Sequence, residues 1–391
     1  MAYAGNRWSR HTRAEASQMG AGQLCDPVAD SATLRVADRP QSVQSWRSSR
    51  RSGQESDKGS LKNTEIWEAP YREARNSDAV LQLRSGIHMP RFGLGTWQSH
   101  RGGECQRAVA EALRAGYRLI DTAQVYGNEA DVGQALQEAE VKRNEVFVVT
   151  KLSSRDHGGS HPAAALKASL SRLKLDYVDL FLIHSPRGGF LLETWDSLVE
   201  LRNAGLARAI GVSNFGAEQL RSLQQAGREL PEVNQIELHC FWQQKETERL
   251  CSDLGIAVMA YSPLARGSLF GSTGLAQLAE QRACSEAALC IRWAFQKGFV
   301  VIPKSVNPQR IRANIAALGG PGLTPREMQA IELLDQGFCS CPAAKAMQTP
   351  WEELATAAPA RGKGKGKSGK SKDKSGKSKG SEPVSWAEAF S

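Results

Sequence analysis

Between Arg91 and Ser305 the chain alternates short apolar runs with longer segments whose apolar residues recur every three or four positions. The runs are "RFGLGT", "RLIDTA", "VFVVTK", "YVDLFLIH", "ARAIGVSN", "VNQIEL", "AVMAYSP" and "FVVIPKS". They are rich in Val, Ile, Leu and Phe and mostly lack the in–out alternation of a half-solvated strand, which is how strands covered on both faces read. Helical segments follow, such as "ECQRAVAEALRAG" after the first run and "LETWDSLVELRNAG" after the fourth. In the latter, Leu191, Trp195, Leu198 and Leu201 fall on one face and Gly205 stands where a helix C′ residue belongs. Strand and helix in alternation imply parallel pairing with right-handed crossovers, and eight such units predict a closed α/β architecture, the (β/α)8 TIM barrel. The competitor is an open doubly wound sheet. Such a sheet carries G-x-G-x-x-G after its first strand, and "GLGTW" breaks that spacing.

The periodic signal stops at both ends. Residues 1–78 mix Ser, Arg, Gln and Asp without a sustained period and are expected to be mostly disordered, because they bury too little apolar surface to offset ordering entropy. The barrel is expected over 79–340, and 341–391 forms a C-terminal segment ending in the low-complexity "ARGKGKGKSGKSKDKSGKSKGS". From Arg361 to Ser391 there are nine Lys/Arg against Asp373, Glu382 and Glu388, so that stretch supplies +6 of the net +9 and leaves the rest nearly balanced. A solvated charge run is the bland reading of it; an anionic partner, RNA or anionic lipid, is the sharper one. With 41% hydrophobic residues and no apolar run near ~18 residues, no membrane span is expected. The eight cysteines show no C-x-x-C and no His at zinc-finger spacing, so no metal site is expected and reduced thiols in a cytoplasmic protein fit better. An organelle transit peptide is the minority reading of the start, since Glu15, Asp26 and Asp30 interrupt the acid-poor pattern. A monomer is expected.

In such barrels chemistry collects at the C-terminal ends of strands. Here Asp121 closes the second run with Tyr126 in its loop, Lys151 closes the third, His184 the fourth, and Ser213 with Asn214 the fifth. Gln235 lies in the sixth, Tyr261 near the end of the seventh, and Lys304 with Ser305 ends the eighth. Singly, each has an ordinary explanation: Asp121 as a helix cap, Lys151 as a surface residue, His184 as a core histidine. Together they form a constellation that capping does not explain. An ammonium beside a phenol lowers its pKa and a carboxylate holds the ammonium in place, so Asp121 and Lys151 are expected to tune Tyr126 as a general acid, with His184 orienting a carbonyl oxygen. A proton donor beside an oxygen anchor, without a paired Ser or Cys nucleophile or a metal cluster, suits carbonyl reduction by a hydride-donating cofactor.

The ordered stretches "GLGTW", "IDTAQVYGNE", "VVTKL", "LFLIHSP", "AIGVSNF", "AYSPLARG" and "IPKSVNPQRIRAN" together resemble the aldo-keto reductases from about Leu81 to Leu318. By that resemblance Asp121, Tyr126, Lys151 and His184 match the family's catalytic tetrad, with all four residue types intact. The resemblance also implies a cofactor. Thr96 and Trp97 match the stretch beside the nicotinamide, where Trp97, Tyr126 and His184 also face the substrate. Ser213, Asn214 and Gln235 match the carboxamide contacts, and Tyr261 matches the stacking tyrosine. Ser262 and Leu264 match the pyrophosphate-side loop, while Lys304, Ser305, Arg310 and Asn314 match the 2′-phosphate site, which implies NADPH over NADH. Two cations, one a guanidinium fork, beside a hydroxyl suit a phosphate on physical grounds as well.

The chain departs from the family in three places. Ala313 stands where many relatives have Glu, the loop "ARGSLFGSTG" is short where others clamp the cofactor, and Ser153 and Ser185 replace pocket tryptophans. Small residues there favour short polar aldehydes, keto acids or open-chain sugars over flat ketones, with Trp242, Phe338 and the Cys339/Cys341 pair as further candidate walls. The cysteine pair carries no sign of a low thiol pKa. The implied activity is NADPH-dependent, reversible reduction of aldehydes and ketones; a catalytically slow NADP-binding regulatory subunit on the same barrel is the alternative.

Overall fold

The computed structural model describes residues 79–271 and 274–355; the expectations placed on 1–78 and on the Lys-rich tail lie outside the described residues. A hairpin opens them: β1 (Val80–Gln82) pairs antiparallel with β2 (His88–Pro90). Then come β3 (Leu94–Gly95), β4 (Leu119–Asp121), β5 (Phe147–Leu152), β6 (Val178–Ile183), β7 (Ala207–Ser213), β8 (Val233–Glu237), β9 (Ala257–Tyr261) and β10 (Val300–Ile302). These last form one sheet of eight parallel strands in sequence order. Parallel bridges from Phe92 to Val301 and from Gly95 to Lys304 join its two edges, so the barrel closes. Each of the eight apolar runs falls on one of these strands.

The helices are α1 (Glu104–Arg114), α2 (Glu129–Glu138), α3 (His161–Leu173), α4 (Leu191–Asn203), α5 (Ala217–Gln225), α6 (Lys245–Asp253), α7 (Gly274–Gln281), α8 (Glu286–Gln296), α9 (Pro308–Ala316), α10 (Pro325–Glu332) and α11 (Trp351–Ala355). Most strands are followed by one helix, but two, α7 and α8, separate β9 from β10. On α4 the predicted face is the buried one: Leu191, Trp195, Leu198 and Leu201 all pack into the layer between helices and barrel, each contributing about 1.5–3 kcal/mol if fully transferred from water. Gly205, at φ 77°, ends that helix with the left-handed turn a C′ glycine permits.

Two cores result. The larger lies between barrel and helices; the smaller fills the barrel and contains Leu119, Phe147, Val149, Leu180, Leu182, Ala209, Val233, Met259, Val300 and Ile302. Leu83 and Met89 of the hairpin join it beside the first residues of the strands, plugging that end. Side chains alternate across a strand, so the next inward positions are Asp121, Lys151, His184, Ser213, Gln235, Tyr261 and Lys304. Apolar layers therefore fill the lower barrel and a polar layer caps it. Gly211 belongs to the inward series of β7, where a Cβ would stand 2.4 Å from the Val233 carbonyl oxygen, so no larger residue fits. Among the described residues no helix is long and apolar enough to cross a membrane.

Candidate active site

The polar layer opens into a cavity of about 730 Å³. At its floor Lys151 is fully buried, and its ammonium donates to Asp121 Oδ1 at 2.7 Å, to the Thr122 carbonyl at 2.9 Å and to Tyr126 Oη at 3.3 Å. Those bonds use all three ammonium donors. Because lysine only donates, Tyr126 must accept through its oxygen, which leaves the phenolic hydrogen free to point into the cavity. Asp121 is held in turn by Gln235 Nε2 on Oδ2 at 2.8 Å, while Thr96 donates its amide and hydroxyl to the Asp121 carbonyl.

The five-residue interval from Asp121 to Tyr126 has a local cause. β4 ends at Asp121, the chain turns through Thr122 and Ala123, and the 3-10 turn Gln124–Tyr126 folds the phenol back over the strand ends. Gly127, at φ 69°, terminates that turn. The next two residues are structural. Asn128 accepts from Thr122 Oγ1 and donates to the carbonyls of Thr96 and Ser99; Glu129 accepts from Thr150 Oγ1 and Arg172 Nε. This buried scaffold was not anticipated, although the two adjacent polar residues at the start of a helical pattern were its signal.

His184 closes β6 and meets Tyr126 edge to face, ring centroids 5.6 Å apart. Asn214, in a left-handed conformation at φ 60°, donates through Nδ2 to the His184 carbonyl at 3.0 Å and to Ser213 Oγ, and accepts from the Tyr261 hydroxyl at 2.8 Å. A non-glycine residue there costs on the order of 1–2 kcal/mol, and these bonds offset it. Ser213 donates to the Gln235 carbonyl at 2.8 Å. Five predicted residues thus belong to one hydrogen-bonded cluster centred on Asn214.

Burial raises the Asp121 pKa and lowers that of Lys151, and the charge of each opposes the shift of the other. Burial and the Lys151 charge keep His184 well below its ordinary pKa, hence neutral. For Tyr126 the expectation fails. Burial, then the Asp121 carboxylate, pushes the phenol well above 10, because taking the phenolate out of water and beside a second anion disfavours it. The group is a firmly protonated donor.

The far end of the cavity is cationic. Lys304, Ser305, Arg310, Ala313 and Asn314 line it, with Arg310 and Asn314 one turn apart on α9. Burial and the neighbouring Arg310 lower the Lys304 pKa. Ala313 brings only a methyl, so no carboxylate lines this end, although Glu104 acts on Lys304 from outside the lining. Between the two ends run Gly95, Trp97, Ser262 and Leu264. Arg266 of the short loop, at φ 55°, stacks on Trp97 with its guanidinium carbon 4.5 Å from the ring centroid. A cationic end, an aromatic middle and a polar floor fit a phosphorylated dinucleotide.

Some expectations are corrected. Thr96 lies behind the cavity wall, spending its hydroxyl on Asp121. Ser153 and Ser185 do not line the cavity: their hydroxyls accept the Arg155 and Arg187 amides and cap short turns. Trp242 lines a separate shallow depression with Lys245 and Asp335, and Phe338 is likewise off the cavity. Of the candidate walls Cys341 does line the cavity while Cys339 does not, and it is joined there by Ala343, Gln98, Arg266 and Phe270.

The Aldo/keto reductase family model matches residues 91–336. The chain belongs to the aldo/keto reductase family. It is 42% identical over 260 residues to an aldo-keto reductase of Mycobacterium sp. (strain KMS), spanning 66% of this chain and 94% of that one. It is 40% identical over 257 residues to a glyoxal reductase of Bacillus subtilis (strain 168), spanning 66% of this chain and 93% of that one. Among solved structures, a Bombyx mori aldo-keto reductase in complex with NADP aligns with a TM-score of 0.65 and 37% identity, covering 71% of this chain and 98% of that one. The chain is therefore an oxidoreductase, an aldo-keto reductase built on the barrel described above.

Proposed function

We propose that this aldo-keto reductase uses NADPH to reduce small polar aldehydes and ketones to alcohols, reversibly, with Tyr126 as the proton donor. The observation that carries the reading is the three-way donation of Lys151, which leaves the Tyr126 hydrogen free at the cavity floor. Lys304, Ser305, Arg310 and Asn314 would hold the 2′-phosphate. Ser213, Asn214 and Gln235 would hold the carboxamide, Tyr261 and Trp97 would flank the nicotinamide, and Ser262 and Leu264 the pyrophosphate. NADPH supplies the hydride. The substrate oxygen accepts from the Tyr126 hydroxyl and from neutral His184, and the Tyr126 proton passes to that oxygen as the carbon is reduced. Asp121 and Lys151 keep the phenol in place. Small polar substrates are supported by the relation to a glyoxal reductase and by a floor built of donors. Oxidation of NADPH with a panel of small aldehydes tests the activity; a panel that leaves NADPH unconsumed while it binds would reject it.

The pKa directions set a pH dependence. Reduction needs the phenol protonated and the imidazole neutral; the first pKa is raised and the second lowered, so kcat/KM for reduction stays flat from about pH 6 to about pH 9. Alcohol oxidation needs the phenolate as acceptor and rises with pH across that range. A reductive limb with its midpoint near neutrality would contradict both assignments.

Cofactor exchange is expected to be fast. The stack of Arg266 on Trp97 is a weak latch, worth about 0.5–1 kcal/mol at a partly exposed site, and the loop from Leu264 is too short to wrap the cofactor. Stopped-flow release of NADP+ should outpace turnover; release as slow as the steady state would show a clamp that this loop does not provide.

A further inference from the structure

We propose that Glu237 is a positioning residue: its buried carboxylate holds the Cys339–Cys341 segment across the barrel mouth and so sets the wall that Cys341 presents to the substrate end of the cavity. The residue ends β8 on the same inward face as Val233 and Gln235. It is fully buried, and no lysine or arginine pairs with it among the described residues. Its ligands come instead from the C-terminal segment and the turn after β8. Oε1 accepts from the Ser340 amide at 2.7 Å, from the Ser340 hydroxyl and from His239 Nε2 at 3.1 Å; Oε2 accepts from the Cys341 amide at 3.0 Å and weakly from Cys339 Sγ at 3.6 Å. Burial pushes this carboxyl up, but the bonds from His239 and Ser340 outweigh it and hold it below the usual range.

The rest of the segment has other anchors. Gln243 donates to the Glu332 carbonyl, the Phe241 carbonyl accepts the Gln336 and Phe338 amides, and Gln219 donates to the carbonyls of Ala346 and Thr349. Glu237 holds the backbone of Ser340 and Cys341, next to the cavity, while the Cys341 thiol also bonds to Tyr261. Cys341 is buried and lines it beside Tyr126 and Tyr261, and a negative charge on its thiol would raise both phenols. The thiol is a wall and not a nucleophile, since burial, then Glu237, raises its own pKa.

The inference rests on the proposed reduction, and Glu237→Gln tests it. The Ser340 and Cys341 amides reach different carboxylate oxygens, so in either orientation of the new side chain one backbone donor faces an NH2 group. The segment should loosen locally. KM for a small aldehyde should rise about tenfold, with kcat and NADPH affinity within about twofold of the unmodified protein. Cys341 should become open to iodoacetamide, mapped by mass spectrometry, while the buried Cys105 and Cys251 keep their protection. Ser340→Ala, which leaves the carboxylate untouched, should move both readouts the same way by less. Unchanged KM with Cys341 still protected would overturn the proposal. So would labelling of all three cysteines, which marks a general loss of stability, or a fall in kcat at constant KM, which marks a role in the chemistry. The labelling needs no turnover, so it judges the anchor even if no substrate is reduced.

Discussion

Tyr126→Phe lowers kcat for aldehyde reduction by about 10²–10⁴-fold, the usual worth of a well-placed general acid, and leaves NADPH affinity within roughly twofold. The substitution removes one oxygen and keeps the ring that packs against His184. It also leaves a Lys151 ammonium donor without its 3.3 Å partner. That bond is the longest of the three, and the stronger pair to Asp121 remains, so the floor keeps its shape. The loss therefore reports chemistry and not folding. Single-turnover rates with saturating NADPH are the measurement, and rates equal to those of the unmodified protein would take the proton-donor role away from Tyr126.

Removing the two cations at the other end has the second largest effect. Lys304→Ala with Arg310→Ala should weaken NADPH binding by about 10²–10³-fold, since each charge-assisted bond to phosphate at these exposed side chains is worth roughly 1.5–2 kcal/mol, the low end of its range, and about 1.4 kcal/mol is tenfold. NADH, which lacks the 2′-phosphate, should lose far less, so the preference between the two collapses. No carboxylate lines that end of the cavity, and Glu104 acts on Lys304 only from outside the lining, which leaves a bound phosphate as the direct partner of these cations. Fluorescence titrations with both cofactors decide it, and parallel losses for NADPH and NADH would place the cations outside the 2′-phosphate site.

The barrel was legible because strands covered on both faces leave continuous apolar runs, and because side-chain alternation carries the inward series up to a polar last member. Asp121, Lys151, His184 and Lys304 could be found from that series alone. The hairpin from Val80 to Pro90 was missed: its strands are three residues each, too short to show a period, and it is fixed by packing of Leu83 and Met89 onto strands far along the chain. The upward shift of the Tyr126 pKa was also hidden. Neighbouring residue types announce charges, whereas the burial that outweighs them belongs to the whole fold. Cys341 was among the candidate walls, but Ala343 escaped for a related reason. Its place follows from the segment's hydrogen bonds to Glu237 and Gln219, more than a hundred residues earlier, which no local pattern records. Ser153 and Ser185 were read by analogy with bulkier residues, but their short hydroxyls reach only the amides two residues on.

The most direct test of the central claim follows the hydride itself. With NADPH deuterated at the transferable position of nicotinamide C4 and a small aldehyde as substrate, one deuterium is expected on the carbinol carbon for each NADPH consumed, abolished together with NADPH oxidation in Tyr126→Phe. NADPH consumption that leaves the label out of the alcohol, or persists undiminished without the phenol, would contradict it.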